Sequence, residues 1–256
     1  MKRLKTPKPY ALALALVLLG STPAPAQTPA SAPAPGSPSE VVRAFYTALR
    51  ERRFREAFEM SVFRPAVEGL TPEEYEDLRA DFEPMATNSP EEVVITGEQV
   101  SGEDATVFMK LGDGGQMKVE PVYLIREKGR WVVGDREGRE SVKKAGKRFF
   151  FDVRIDTHHV EVEKMLSRIS AAQILYAQQH GGAYGDLEAL IRAGLVPDDV
   201  RGTQTTGYRF TVVPAKGGKS YEARAEPERY GRTGKLSFYM DPAGSRRKDA
   251  GGKPIK

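Results

Sequence analysis

Ser37-Pro38-Ser39-Glu40-Val41-Val42-Arg43-Ala44-Phe45-Tyr46 is the stretch from which the fold is read. A serine cap, a proline at the first helical position and a glutamate three residues after the cap are three helix-start cues in one place. Val41, Val42, Phe45, Ala48 and Leu49 then share one helical face. Ser89-Pro90-Glu91-Glu92 has the same form, but Val93, Val94 and Ile95 follow it, and such a β-branched run favours a strand. One four-residue signal thus leads first into helix and later into sheet, which makes the chain α+β.

Between the two signals, Phe54, Ala57 and Phe58 continue the helical pattern in a short second helix after Arg52-Arg53. Thr71-Pro72-Glu73-Glu74 repeats the cap and opens a third helix through Tyr75, Leu78 and Phe82. Downstream, Val107, Met109 and Leu111 alternate with Thr106, Phe108 and Lys110. Met117, Val119, Tyr123 and Ile125 lead to a Lys128-Gly129 turn, after which Trp131 and Val133 begin a return strand. Gly102 and Gly112 to Gly115 mark the other turns. The expectation for residues 38–140 is three helices on one face of a curved antiparallel meander of about four strands.

A basic hinge is expected over residues 141–158. Within it, residues 149–155 read as a strand, either between the domains or added to a second sheet. A helix over residues 160–179 places Val162, Leu166, Ile169, Ala172 and Tyr176 on one face, and Gly181-Gly182 stops it. Leu187, Leu190 and Ile191 form a short helix ending at Gly194. Strands follow at Tyr208-Phe210-Val212, Tyr221-Ala223-Ala225 and Leu236-Phe238-Met240, with turn chemistry at Gly217-Gly218 and Asp241-Pro242-Ala243-Gly244. This second domain, residues 159–245, is a helix with a three- to four-stranded antiparallel sheet, and residues 246–256 read as a flexible tail.

The first 26 residues read as a secretory signal peptide. Lys2, Arg3, Lys5 and Lys8 precede a short apolar run, and Ala24-Pro25-Ala26 gives a cleavage site before Gln27. A retained, uncleaved anchor is the alternative. Residues 27–37, rich in Pro and Ala, read as a disordered linker. The expected location is the periplasm or the exterior, with no stable membrane span after cleavage. Those four leader residues account for the whole +4 excess over 35 acids, so the basic balance does not point to nucleic acid. The residues 40–140 carry 14 basic and 22 acidic side chains, and 141–256 carry 21 and 13. That opposition suits either docking of the halves or two solvated faces. With no cysteine, disulfides, thiolate metal sites and cysteine nucleophiles are excluded.

Val41-Val42-Arg43-Ala44-Phe45-Tyr46, the Phe54 to Phe58 follow-on and the closing Gly129-Arg130-Trp131-Val132-Val133 resemble the small NTF2-like (SnoaL/DUF4878-like) domains of exported bacterial proteins. In the second half, Arg168-Ile169-Ser170-Ala171-Ala172-Gln173 with Tyr176, then Tyr184-Gly185-Asp186-Leu187, Gly207-Tyr208-Arg209-Phe210 and Lys235-Leu236-Ser237-Phe238-Tyr239-Met240-Asp241, resemble the head of a type IV pilin or type II secretion pseudopilin. A prepilin leader and apolar stem are absent from the sequence, so the chain is not an ordinary pilus subunit. The first resemblance implies a cone-shaped cavity under the helices, with Tyr46, Tyr123 and Trp131 as its lining or as the side chains that fill it.

Catalytic signals are sparse. No histidine precedes His158, and Asp104, Asp113 and Asp135 sit at turn positions where Asp serves the backbone. His158-His159 diverge on either a strand or a helix, so they read as structural surface residues and no metal or cofactor is expected. Gly112-Asp113-Gly114-Gly115 precedes no helix and is a hairpin turn, not a phosphate cradle. Arg246-Arg247-Lys248 reads as a solvated cluster on a polar tail, with contact to an anionic envelope polymer as the alternative. The function expected is therefore a non-catalytic binding or scaffolding module of the bacterial envelope, a monomer or homodimer, with an envelope protein or a small apolar ligand as partner. The alternatives are an NTF2-like isomerase or hydrolase of small molecules, and an accessory of a type II secretion or type IV pilus system.

Overall fold

The computed structural model describes residues 36–111, 118–204 and 206–256, with only the backbone of Leu111. The signal peptide with Ala24, Ala26 and Gln27, residues 27–35 of the linker, Met117 and the Gly112 to Gly115 turn lie outside the described residues. The described chain falls into two compact units that divide at Phe150 and Phe151.

The first unit begins with α1 (Pro38–Arg50), α2 (Phe54–Glu59), α3 (Arg64–Glu68) and α4 (Pro72–Thr87). Ser37 and Thr71 each accept the backbone N–H of the residue three along, Glu40 and Glu74, while those carboxylates bond back to the cap. Both reciprocal caps satisfy donors that a helix start leaves orphaned. The short α3 was not expected, because a five-residue helix carries too little periodicity to read. A meander follows, β1 (Val94–Ser101), β2 (Asp104–Leu111), β3 (Lys118–Glu127) and β4 (Arg130–Val133), antiparallel throughout in the order β1-β2-β3-β4. Lys128 and Gly129 both take positive φ, 48° and 80°, between the paired Glu127 and Arg130. That is the geometry a two-residue hairpin requires.

Val42 of α1 packs with Val107 and Met109 of β2, Val122 and Leu124 of β3, and Trp131 of β4. The opposite sheet face carries a smaller cluster, Ile125 and Val132 against Val62. A third contact set is aromatic. Phe82 of α4 meets Phe54, Phe58, Tyr75 and Phe150 with ring centroids 4.9–5.8 Å apart.

The hinge and strand expected over residues 141–158 are replaced by helix. α5 (Arg136–Ala145) ends at Gly146, a short 3-10 turn covers Gly146–Arg148, and α6 runs from Phe149 to Gln179. Phe149, Phe151, Val153 and Ile155 alternate as a strand would. The buried positions, however, are Phe151, Arg154, Ile155, Val162, Leu166, Ile169, Ala172 and Gln173, which is helical spacing. A short apolar run fits either period, and here the longer-range pattern prevails.

In the second unit α6 is followed by α7 (Leu187–Arg192), a 3-10 turn (Asp198–Arg201) and four antiparallel strands in the order β5-β6-β7-β8. These are β5 (Tyr208–Pro214), β6 (Tyr221–Pro227), β7 (Leu236–Asp241) and β8 (Gly244–Asp249). Val162, Leu166, Ile169 and Ala172 on α6 pack on Tyr208, Phe210, Ala223, Phe238 and Met240 of the sheet. β8 corrects the flexible tail expected from residue 246. Ser237 pairs with Lys248, and Leu236 with Asp249. Its sequence, GSRRKD, has no apolar periodicity and is exposed at all six positions. Main-chain pairing alone makes it a strand, and its charges suit a sheet edge. Both sheets antiparallel, with helices segregated from strands, make the protein a mixed α+β fold.

Candidate functional site

Tyr46 and Trp131 come together, but Tyr123 does not join them. Tyr46 leaves α1 toward the first sheet and belongs to the packed layer around Val107 and Leu124. Burial raises its phenolic pKa, and Phe45 meets its ring edge-on at 5.3 Å. Trp131 is 8% exposed, and Arg126, its pairing partner on β3, holds its guanidinium 5.0 Å from the ring centroid. Tyr123 is 53% exposed. On β3 the inward residues are Val122 and Leu124, so Tyr123 faces the other way by strand alternation. Two of the three expected lining residues thus pack within the core, and the third stands outside it.

Asp104 and Asp135 of the first unit are occupied structurally. Asp104 is held by both arms of Arg136 at 3.0 and 2.9 Å, which lowers its pKa. Asp135 caps α5 by accepting the Gly138 N–H. Among the described residues no group of three or more His, Asp or Glu side chains is placed to hold a metal ion. No helix of the described residues is long and apolar enough to cross a membrane.

His158 and His159 are half-buried rather than surface residues. His158 Nδ1 lies 2.8 Å from the Thr233 carbonyl oxygen. His159 Nε2 accepts the backbone N–H groups of Lys235 and Leu236, each at 3.3 Å. Its ring stands edge-on to Tyr208 and Phe238, 6.2 and 5.9 Å between centroids.

The second unit also holds a groove, which the sequence did not disclose. It lies between α6 and the β7–β8 hairpin. One lobe of about 420 Å³ has Leu166, Phe238 and Met240 as apolar lining, with Glu163, Ser167, Ser245, Arg246 and Arg247 completing it. An adjoining hollow of about 370 Å³ shares Ser167, Met240 and Ser245 and continues past Ser170 and Asp241. Arg247 reaches from β8 to pair with Glu163 of α6. Arg246 lies 4.8 Å from the Tyr239 ring centroid and 3.5 Å from Asp241. Asp241 fixes the hairpin tip by accepting the N–H groups of Ala243 and Gly244, which lowers its pKa. Leu166, Phe238 and Met240 thus form an apolar floor, with hydroxyls and the paired Glu163 and Arg247 at the rim. Ser167 and Ser170, small residues three apart beside the apolar stripe of α6, were the one sequence signal for this space. Neither a protein-family model, nor a curated protein, nor a solved structure matches the chain.

Proposed function

We propose that the chain is an exported bacterial envelope protein that acts by binding or scaffolding rather than by catalysis, and that the groove between α6 and the β7–β8 hairpin is its binding site. The groove carries this reading: each lobe has the volume of a small-ligand site, and its Glu163 and Arg247 are neutralised by one another. The leader-like first 26 residues support export to the periplasm or the exterior. The NTF2-like and pilin-head readings rest on sequence features and on element order. A second reading, an accessory of a secretion or pilus machine, is favoured by the order of a long helix followed by a four-stranded antiparallel sheet.

Native mass spectrometry of the mature chain, recovered from the periplasm after expression with its leader, tests the first reading. The expected result is an added mass of a few hundred daltons that disappears on denaturation. Ser167→Trp puts a bulky ring into both lobes from an exposed helix position, so the added mass should be lost while the circular dichroism spectrum stays unchanged. A bare mass in the wild-type chain rejects a retained small ligand. Co-purification of pseudopilins with the chain would instead support the accessory role.

A further inference from the structure

The β6–β7 connection, residues 228–235, is held to α6 by the Lys235–Asp152 ion pair, by Arg232 over the Phe151 ring, and by two adjacent histidines that grip it in different ways. A helix turns about 100° per residue, so neighbouring rings leave α6 in different directions and reach separate points of the loop. At one point the partner is the Thr233 carbonyl, which only accepts, so His158 Nδ1 donates to it. At the other, the partners are two backbone N–H groups, of Lys235 and Leu236, so His159 Nε2 must present its lone pair. The same end of the loop is held by Tyr208, whose hydroxyl donates to the Leu236 carbonyl at 2.8 Å. There is no room for adjustment beneath it: a side chain at Gly234 would meet the Tyr208 hydroxyl, and one at Gly207 would meet His158 and Thr233.

We propose that this loop is an acid-released clasp, closed by neutral His159 and opened when that ring takes a proton at Nε2. Protonation converts the acceptor into a donor facing two donors, so both hydrogen bonds are lost together. His158 already donates through Nδ1, so its contact with Thr233 survives charging. The two histidines therefore divide the work: one tether is indifferent to acid and one is sensitive to it.

The surroundings of His159 set the range. On α6 its neighbours are His158 and Glu163, with Asp152 and Asp156 nearer the helix start. Asp152 is paired with Lys235 at 3.2 Å, and burial, with Asp152, raises the pKa of Asp156. β8 contributes Arg247, paired with Glu163; β5 contributes the Tyr208 phenol, which burial keeps protonated. Burial foremost, then the positive charges of Arg247, His158 and Lys235, lowers the pKa of His159 from 6.5 to about 4. The closed form thus binds the proton more weakly than the open form. Closure is at full strength above pH 6.5 and weakens as pH falls from 6.5 toward 4, below which it changes no further.

Amide hydrogen exchange of the full chain between pH 7 and pH 4, corrected for intrinsic rates, tests this. The Lys235 and Leu236 amides should open ~20-fold more at pH 5 than at pH 7, since each pH unit well below the free-histidine value is worth a factor of ten. Amides of β5 should not follow. In His159→Gln, whose side-chain oxygen accepts an N–H but does not titrate, the pH dependence should vanish, whereas His158→Gln should keep it. The wild-type ring supplies a readout that needs no variant: its Nε2 nitrogen resonance should be of the unprotonated type at pH 7 and titrate near pH 4. A protonated Nε2 at pH 7, flat exchange of Lys235 and Leu236, or an equal acid response in His159→Gln would overturn the proposal. So would a simultaneous rise at β5, which would mean global acid unfolding.

Discussion

Phe82→Ala should destabilise the first unit by about 3–5 kcal/mol, the range for a fully buried phenylalanine whose removal leaves a cavity. Phe82 is 1% exposed. Its ring is met by Phe58 at 4.9 Å, Phe150 at 5.0 Å, Phe54 at 5.7 Å and Tyr75 at 5.8 Å. Four rings from three separate stretches of chain converge on it, so none can swing in to fill the space without giving up another contact. The measurement is simple because the chain has one tryptophan, and Trp131 is buried in the same unit. Urea denaturation followed by its fluorescence should move to lower midpoint with unchanged slope. Phe82→Leu, which refills most of the volume, should recover more than half of the loss. A shift of less than about 1 kcal/mol for the alanine variant would mean that the aromatic cluster collapses freely, contrary to the packing described.

Gln173→Leu should cost the second unit ~2–4 kcal/mol, the penalty for leaving a buried donor and a buried acceptor without partners. Gln173 is 0% exposed in the C-terminal third of α6, where a glutamine would ordinarily face water. Its amide bridges one residue on both sides: Nε2 donates to the Gly185 carbonyl at 2.7 Å, and Oε1 accepts the Gly185 N–H at 3.0 Å. Leucine matches the volume but satisfies neither group, so the loss isolates hydrogen bonding from packing. Exchange protection of the Gly185 amide and of β5 and β6 core amides reads the effect. Gln173→Glu should also be destabilising, because the carboxylate still accepts but nothing then donates to the Gly185 carbonyl. If leucine proves neutral, the Gly185 peptide must find water or rearrange, and the clamp is not structural.

Local chemistry made much of the fold legible. The caps at Ser37 and Thr71, the Lys128-Gly129 hairpin, the Gly181-Gly182 stop and the Asp241 turn each depend on a few adjacent residues, and each forms as its sequence indicates. The β3 strand shows where this ends. Both of its parities are apolar: Val119, Tyr123 and Ile125 on one, Val122 and Leu124 on the other. Alternation separates two faces without saying which turns inward. Val122 and Leu124 face the layer containing Val42 and Trp131, so Tyr123 lies on the opposite face of the sheet from Tyr46 and Trp131. The two histidines show the same limit. His158 and His159 read as surface residues from sequence because their partners, the peptide groups of Thr233, Lys235 and Leu236, lie about 75 residues away.

The sequence by itself determined the α+β class, the starts and stops of most elements and the absence of cysteine chemistry, because those depend on neighbours within a turn or two of chain. Tertiary structure alone decided four things. α6 runs on through residues 149–155 because helical spacing meets burial there. The charged stretch Gly244–Asp249 is a strand because β7 offers it a hydrogen-bonding edge. Gln173 is a core residue because Gly185 faces it. The groove beside Ser167 exists only once α6 and the β7–β8 hairpin lie together. In each case the deciding partner is distant in sequence, and its geometry is fixed only when the unit has packed.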